Sequence, residues 1–144
     1  MKRIRTWKYR CDFCGKTSLA AWATKHHELH CTMNPNRICG VCAKEDATGN
    51  LRELLDIIEI WKSEYPVLGD IRYDPDEKAE EELATALRAA SESNMEWATG
   101  CPACLLAAQR QGEVNLRDFD YSHEMDAIRS WWSDKAEADM DIAY

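Results

Sequence analysis

The sequence lacks a long hydrophobic run. Although 45% of its 144 residues are apolar, no apolar segment approaches the ~20 residues that a membrane-spanning helix requires. The basic residues at the start are not followed by an apolar stretch, so we expect no secretory signal. There is also no low-complexity linker. The length fits one domain or two small lobes, and we expect no association with membranes.

The sequence also lacks an even number of cysteines. It has seven, whereas a secreted disulfide framework normally uses an even count. Six of the seven form three Cys-x-x-Cys pairs, a spacing that suits a metal ion better than a structural disulfide. We therefore expect a reducing, intracellular environment, which predicts a cytoplasmic protein.

Acidic residues are scarce in the first third of the chain. Residues 1–50 carry nine Lys/Arg against four Asp/Glu, a net charge of +5. Residues 51–144 carry nine against twenty-two, a net charge of −13. Such asymmetry is typical of a protein with one end that faces a polyanion and a separate acidic region. The alternative interpretation is that the basic residues only solvate an N-terminal strand.

Three Cys-x-x-Cys pairs in one short chain indicate structural zinc, which takes four ligands in a tetrahedron. Cys11 and Cys14 form the first pair. Twelve residues later come His27 and Cys31, which lie one turn apart if residues 19–31 form a helix. His26 and His30 have the same spacing and remain an alternative pair of ligands.

Residues 9–31 resemble a classical zinc finger, in which a Cys-x-x-Cys knuckle precedes a helix that carries two ligands. Tyr9, two residues before Cys11, fits that family, as does Gly15-Lys16. The chain departs from the family in its last ligand, Cys31, and in replacing the central aromatic residue and leucine. We expect Trp22 to fill the missing hydrophobic role.

The four remaining cysteines complete a second site, with Cys39 and Cys42 on a knuckle and Cys101 and Cys104 at the start of a helix. This arrangement resembles a treble clef, and Pro102 suits the first turn of such a helix. The dipole of the helix stabilises thiolates at its N-terminus. We therefore predict two zinc ions, with the segment between 43 and 100 as a helical insertion.

The predicted fold class is mainly α with a short β-hairpin at a zinc knuckle. A zinc-stabilised α+β N-terminal module, residues 1–38, precedes a helical domain, residues 39–144, that is tied by the second zinc site. The alternation of residues 6–10 predicts a short strand, and Leu19 and Trp22 follow helical spacing in the first predicted helix. Apolar residues also recur at helical spacing after Asn50, after Asp74, after Gly100 and after Ser122. The helix after Asn50 is predicted to bury one side, which consists of Leu51, Leu54, Leu55, Ile58 and Trp61 and is widened by Ile57 and Ile60. Ser18 and Ser122 are predicted helix caps.

Closed four-ligand sites have no open position for catalysis, so we expect a zinc-binding protein that acts by macromolecular interaction, without an enzymatic activity. The partner is nucleic acid or another protein, and no small-molecule substrate is inferred. The N-terminal arm interleaves basic and aromatic residues, which suits phosphate contacts and stacking. Its candidate contact residues are Lys2, Arg3, Arg5, Trp7, Lys8 and Arg10. Small zinc-rich proteins of this style resemble accessory proteins of bacteria and their phages.

Two enzymatic alternatives remain. Residues 11–42 superficially resemble His-Asn-His nucleases, in which Cys11, Cys14, Cys39 and Cys42 would share one zinc ion and His27 would be the general base. The histidine expected just after the second pair is replaced by Ala43, and the third pair is left without a partner. The other alternative is redox chemistry at one Cys-x-x-Cys, which usually follows a strand in a βαβ unit.

Overall fold

A computed structural model describes residues 7–45, 51–65, 77–91, 100–116 and 118–142. It begins with an antiparallel hairpin of two short strands, β1 (Tyr9–Arg10) and β2 (Thr17–Ser18), in which Tyr9 pairs with Ser18. The first Cys-x-x-Cys pair occupies the turn of this hairpin. The predicted strand at residues 6–10 is therefore present in its last two residues, and Thr6 lies outside the described residues.

Helix α1 (Ala21–His30) follows the hairpin and packs against it. The side chain of Ser18 does not cap α1, contrary to the prediction. Its hydroxyl accepts a hydrogen bond from the backbone N–H of Ala20 at 3.2 Å and lies 2.9 Å from the hydroxyl of Thr24. Ser18 thus closes a local turn before the helix and joins the hairpin to Thr24, the one buried residue of α1.

The predicted apolar face of α1 is exposed. Leu19, which precedes α1, is 68% exposed and Trp22 is 76% exposed, so Trp22 does not replace the missing hydrophobic core of a zinc finger. The physical reason is that the hairpin packs against Thr24, which lies about 200° from Trp22 around a helix with 100° per residue. The helix therefore turns its large apolar side chains away from the hairpin.

The rest of the described chain is helical. A 3₁₀ turn (Cys42–Glu45) follows the second Cys-x-x-Cys pair, and four longer helices come after it. These are α2 (Leu51–Glu64), α3 (Glu77–Ser91), α4 (Pro102–Gln111) and α5 (Tyr121–Ile142). The fold is thus mainly α with a small β-hairpin beside a cysteine cluster, as the sequence predicted.

The hydrophobic core lies among α2, α3, α4 and α5, and α4 is its most buried helix. Leu54, Leu87 and Leu105 are completely buried there. The helical spacing of α2 predicted Leu54 and Ile58 on its inner side, and both are buried. Ile60, which the sequence placed at the edge of that side, is 62% exposed instead. The core also takes in the second set of four cysteines.

Helix α5 begins two residues earlier than predicted, because Asp120 and not Ser122 is its cap. The carboxylate of Asp120 accepts hydrogen bonds from the backbone N–H groups of Ser122 and His123, at 2.9 and 3.1 Å. This is the usual role of an aspartate at an N-cap. The described residues between Val114 and Asp120 form no strand. The predicted helix starts at Asn50 and Asp74 lie outside the described residues.

Polar contacts join the first 38 residues to α4. Arg37 donates a hydrogen bond to the carbonyl of Ala103 at 2.9 Å. The amide of Gln111 donates to the carbonyls of Thr32 and Asn34, at 2.7 and 3.1 Å. The division into two domains at residue 38 stays a prediction. Across the described residues, no helix is both long and apolar enough to cross a membrane.

Candidate metal centres

The first candidate centre lies between the turn of the hairpin and the C-terminal end of α1. The backbone N–H of Cys11 donates to the carbonyl of Lys16 at 2.8 Å, and that of Gly15 donates to the carbonyl of Cys11 at 3.0 Å. Gly15 has a φ of +74°, a left-handed conformation that glycine adopts without steric cost. This tight turn brings the side chains of Cys11 and Cys14 to the same side as α1.

The ligand atoms of four residues meet at this point. The sulfurs of Cys11, Cys14 and Cys31 and a ring nitrogen of His27 all lie within 4.8 Å of one another. The Cys14 sulfur is 3.2 Å from Nε2 of His27. Cys11 and Cys31 are buried, His27 is partly buried and Cys14 is exposed. One edge of the cluster is therefore open to solvent.

The electrostatics of the first cluster favour a thiolate at its exposed edge. The hydrogen bond from His27, helped by the backbone of Lys16, lowers the pKa of Cys14 to about 6. Burial raises the pKa of Cys31. A buried thiol of this kind loses its proton readily only when a cation lies next to it.

A hydrogen bond between Asp12 and Glu28 also joins the first Cys-x-x-Cys knuckle to α1. The carboxylate of Glu28 accepts a hydrogen bond from the backbone N–H of Asp12 at 3.0 Å. The carbonyl of Glu28 accepts from the side-chain amide of Asn34 at 2.8 Å. The role of Glu28 was not predicted from the sequence. The available signal was its position in the helix, one residue after the candidate ligand His27.

The alternative ligands His26 and His30 lie outside the cluster. Their rings contact each other, with centroids 4.9 Å apart. Nδ1 of His30 is 2.9 Å from the carbonyl oxygen of Ile38, to which it donates a hydrogen bond. Two pairs of candidate ligands have helical spacing, His26 with His30 and His27 with Cys31. The structure places the second pair, His27 with Cys31, beside the knuckle.

The second candidate centre lies inside the helical part. The sulfurs of Cys39, Cys42, Cys101 and Cys104 all lie within 4.8 Å of one another, and all four residues are buried. The Cys39 sulfur is 3.5 Å from that of Cys101, and the Cys42 sulfur is 3.7 Å from that of Cys104. The backbone N–H of Cys42 points at the sulfur of Cys39, also at 3.5 Å.

The start of α4 positions the third cysteine pair. Cys101 is the N-cap residue and Pro102 follows in the first turn, where its missing N–H costs nothing. Gly100 precedes them with a φ of +82°, and a Cβ there would meet the hydroxyl oxygen of Ser91 at 2.0 Å. A glycine is therefore required for α3 to pack this closely against the approach to the cluster.

Four thiols packed this tightly cannot all ionise on their own. Hydrogen bonding to Cys101 is the main cause that lowers the pKa of Cys39, while the same neighbour raises the pKa of Cys42 and of Cys104. Like charges in a low-dielectric site repel, so some of the thiols stay protonated. A divalent cation at the centre removes that repulsion and allows four thiolates.

The sulfur–sulfur distances at the second centre fit a tetrahedral ion. With metal–sulfur bonds of about 2.3 Å, the edge of a tetrahedron of sulfurs is about 3.8 Å. The two measured sulfur–sulfur distances, 3.5 and 3.7 Å, are close to this edge and far from the ~2.05 Å of a disulfide bond. All seven cysteines are free of disulfides. Both clusters can therefore hold a metal ion.

The predicted contact residues of the N-terminal arm are only partly described. Trp7, Lys8 and Arg10 are exposed, and Trp7 is 86% exposed. Lys2, Arg3 and Arg5 lie outside the described residues. No structural observation tests their role, so the contact surface of the arm stays a prediction.

Comparisons with protein-family models, curated proteins and solved structures find no match to this chain. The resemblance of residues 9–31 to a classical zinc finger and that of the second set to a treble clef therefore depend on the residues themselves. The class that fold and site define is coarser: a mainly helical protein with two Cys/His clusters that can hold metal ions.

Proposed function

We propose that this chain is a non-enzymatic zinc protein, that both zinc ions are structural, and that it acts by binding another macromolecule. The observation that carries the proposal is the pair of four-residue donor sets, each with its ligand atoms within 4.8 Å. Three sulfurs with one imidazole, and four sulfurs, are donor sets of structural zinc sites.

The donor count supports structural sites over catalytic ones. A catalytic zinc ion keeps a position for water or substrate and has three protein ligands. Each cluster here supplies four donors, which fill a tetrahedron. All four residues of the second cluster are also buried, as expected of a structural site that has no bound water or substrate.

The local geometry also favours His27 as a metal ligand over His27 as a general base. In the nuclease alternative, His27 is a general base and the first and second Cys-x-x-Cys pairs share one ion. Here Nε2 of His27 lies 3.2 Å from the Cys14 sulfur, and the second pair gathers with the third pair. His27 is then occupied as a ligand and has no free nitrogen lone pair for a base.

Metal content and nuclease activity test the proposal together. Native mass spectrometry of the purified full chain should show two zinc ions per chain, and the same protein with magnesium or manganese should leave supercoiled plasmid intact. Plasmid nicking that disappears in His27→Ala but persists in His26→Ala would contradict the proposal and support a nuclease. A chain without bound metal and with a reactive thiol would support redox chemistry instead.

A further inference from the structure

We propose that the outer face of α1 is a docking surface for an acidic, amphipathic segment of another protein. The α1 outer patch consists of Trp22, Lys25, His26 and Leu29 on α1, together with Leu19 before the helix and Ile38 after it. This inference depends on the proposed function, because it names the partner class for the same zinc-stabilised module. It differs from the arm at residues 2–10, which the sequence analysis singled out.

Exposed apolar side chains are concentrated in this module. Among the described residues, ten large hydrophobic side chains are exposed, and eight of them lie between residues 7 and 38. The helical part, which is more than twice as long, exposes only Ile60 and Tyr121 among its described residues. Exposed apolar side chains mark interaction sites in soluble proteins where they form a patch.

The geometry of α1 gathers part of this surface into one stripe. Trp22 and Leu29 are seven residues apart, which places them within about 20° of each other around the helix. Trp22 is 76% exposed and Leu29 is 50% exposed. The backbone N–H of Ile38, itself 51% exposed, donates to the carbonyl of Leu29 at 2.8 Å. The stripe therefore continues from α1 onto the following loop.

The patch is held in place without a partner. His30 donates to the carbonyl of Ile38, and its ring contacts that of His26 at 4.9 Å. On the opposite side of α1, Thr24 and the first cluster fix the helix to the hairpin. A surface that is already rigid loses little conformational entropy when it binds, which favours affinity.

The charge of the module selects an acidic partner. Residues 7–38 carry five Lys/Arg against two Asp/Glu, a net charge of +3. Lys25, on the patch itself, is exposed. A segment with apolar side chains on one helical face and carboxylates around them matches both the apolar stripe and this charge.

Two other occupants fit less well. Nucleic acid requires cations along the path of its phosphates, and Lys25 is the only Lys or Arg on the α1 outer patch. A second copy packed patch to patch would place two +3 modules together, and the described residues of the acidic helical part expose few large apolar side chains to cover the stripe. The combination of aliphatic and aromatic side chains favours a protein segment.

A library of random 16-residue peptides displayed on phage, selected on the zinc-loaded full chain, tests this proposal. The enriched peptides should be acidic and carry apolar residues at positions i, i+3 or i+4, and i+7. Fluorescence anisotropy with a resynthesised peptide should show binding weakened at least ~10-fold by Trp22→Ala and by Leu29→Ala, as expected of central contact residues. Lys25→Glu should also weaken it, and Ile60→Ala, an exposed residue of α2, should leave it unchanged.

Several results would overturn the proposal. These are the absence of any enriched peptide, enrichment of basic peptides, or binding that Trp22→Ala and Lys25→Glu leave unchanged. Binding of a 20-nucleotide thymidine oligomer that Trp22→Ala abolishes would assign the patch to nucleic acid. A dimer in sedimentation that Trp22→Ala dissolves would assign it to a second copy. Zinc content, measured on the same preparations, separates these outcomes from failure of the proposed function, which would show as missing metal.

Discussion

Residues 7–38 and the helical part bury very different side chains. In the first region the buried residues are Cys11, Thr24, Cys31 and Asn34, none of which is a large hydrophobic residue. The helical part buries a cluster of leucines and isoleucines around α4. Of the described residues, none before Cys39 belongs to that cluster. Among its described residues, the first region therefore has polar contacts and a candidate metal centre in place of a hydrophobic core, whereas the second region has a core.

This difference explains why exposed apolar residues collect in the first region. A module that is folded around an ion does not need its Trp and Leu side chains inside. In the proposed function, the ion supplies the stability that a core would otherwise give, and these side chains are then available for the proposed partner. In the helical part the same residue types are used for packing, and the cysteines add a link between α4 and the loop after α1.

The largest expected effect is that of removing metal. Structural zinc in small fingers contributes on the order of 10–16 kcal/mol of apparent binding free energy, against a net stability of ~5–15 kcal/mol for a typical domain. A strong chelator should therefore unfold the protein substantially, and residues 7–38 should lose all protection of their amides from hydrogen exchange. Full protection of residues 7–38 in metal-free protein would contradict the claim that this region depends on metal and the helical part on its core.

Single ligand substitutions should separate the two centres. Cys11→Ser and Cys104→Ser should each lower the zinc content from two ions to one in native mass spectrometry. Cys11→Ser should expose only residues 7–38 to rapid hydrogen exchange, because the core of the helical part lies elsewhere. Cys104→Ser should lower the melting temperature of the helices as well, because this sulfur is in their core. Identical hydrogen-exchange patterns in the two variants would contradict the claim that each centre stabilises a different region.

A matched pair of leucine substitutions compares the two regions directly. Leu87 is completely buried in the core and Leu29 is half exposed on α1. Leu87→Ala should cost ~2–5 kcal/mol of unfolding free energy, whereas Leu29→Ala should cost within about 0.5 kcal/mol. Urea denaturation of the zinc-loaded variants measures both. A large cost for Leu29→Ala would mean that the α1 outer patch contributes to stability instead of binding.

Acid should release the two ions in sequence. The folded-state pKa of Cys14 lies at about 6, below the ordinary value for cysteine, mainly because of His27. In the metal-free chain the contribution of its thiolate is complete above the ordinary pKa and is lost as the pH falls through about 6. The order of release from the zinc-loaded protein is expected to follow access instead, because Cys14 is exposed, whereas all four residues of the second cluster are buried. Zinc titrated with a colorimetric chelator should therefore leave the first centre at higher pH than the second.

A matched control for the acid experiment uses the single-ion variants. Cys104→Ser, which keeps only the first centre, should release its zinc near the higher of the two pH values. Cys11→Ser should release its zinc near the lower one. The reverse order would show that burial, and not the exposure of Cys14, makes a centre sensitive to acid.

The helical elements and the grouping of the cysteines were accessible from sequence for local reasons. Helical spacing gave α2, and the pair Cys101-Pro102 marked the start of α4, because a proline in the first turn is a local signal. The structure brings together the same two sets of four candidate ligands that were predicted from the need of each zinc ion for four ligands. Their role as ligands stays a prediction until metal is measured.

The orientation of α1 was not accessible in the same way. Its apolar spacing predicted a buried face on Leu19 and Trp22, and that prediction was wrong. The face that a helix buries depends on what packs against it, and here a small hairpin and a cysteine cluster that can hold an ion take the place of a core. The cap of α5 was missed for a simpler reason, since Asp120 and Ser122 are both good capping residues and lie two positions apart.

Anomalous scattering at the zinc absorption edge, from a crystal of the untreated protein, tests the central claim most directly. The account predicts two peaks: one about 2.3 Å from the sulfurs of Cys11, Cys14 and Cys31 and about 2.0 Å from a nitrogen of His27, the other about 2.3 Å from four sulfurs. A single peak shared by Cys11, Cys14, Cys39 and Cys42, or disulfide bonds with no metal peak, would contradict it.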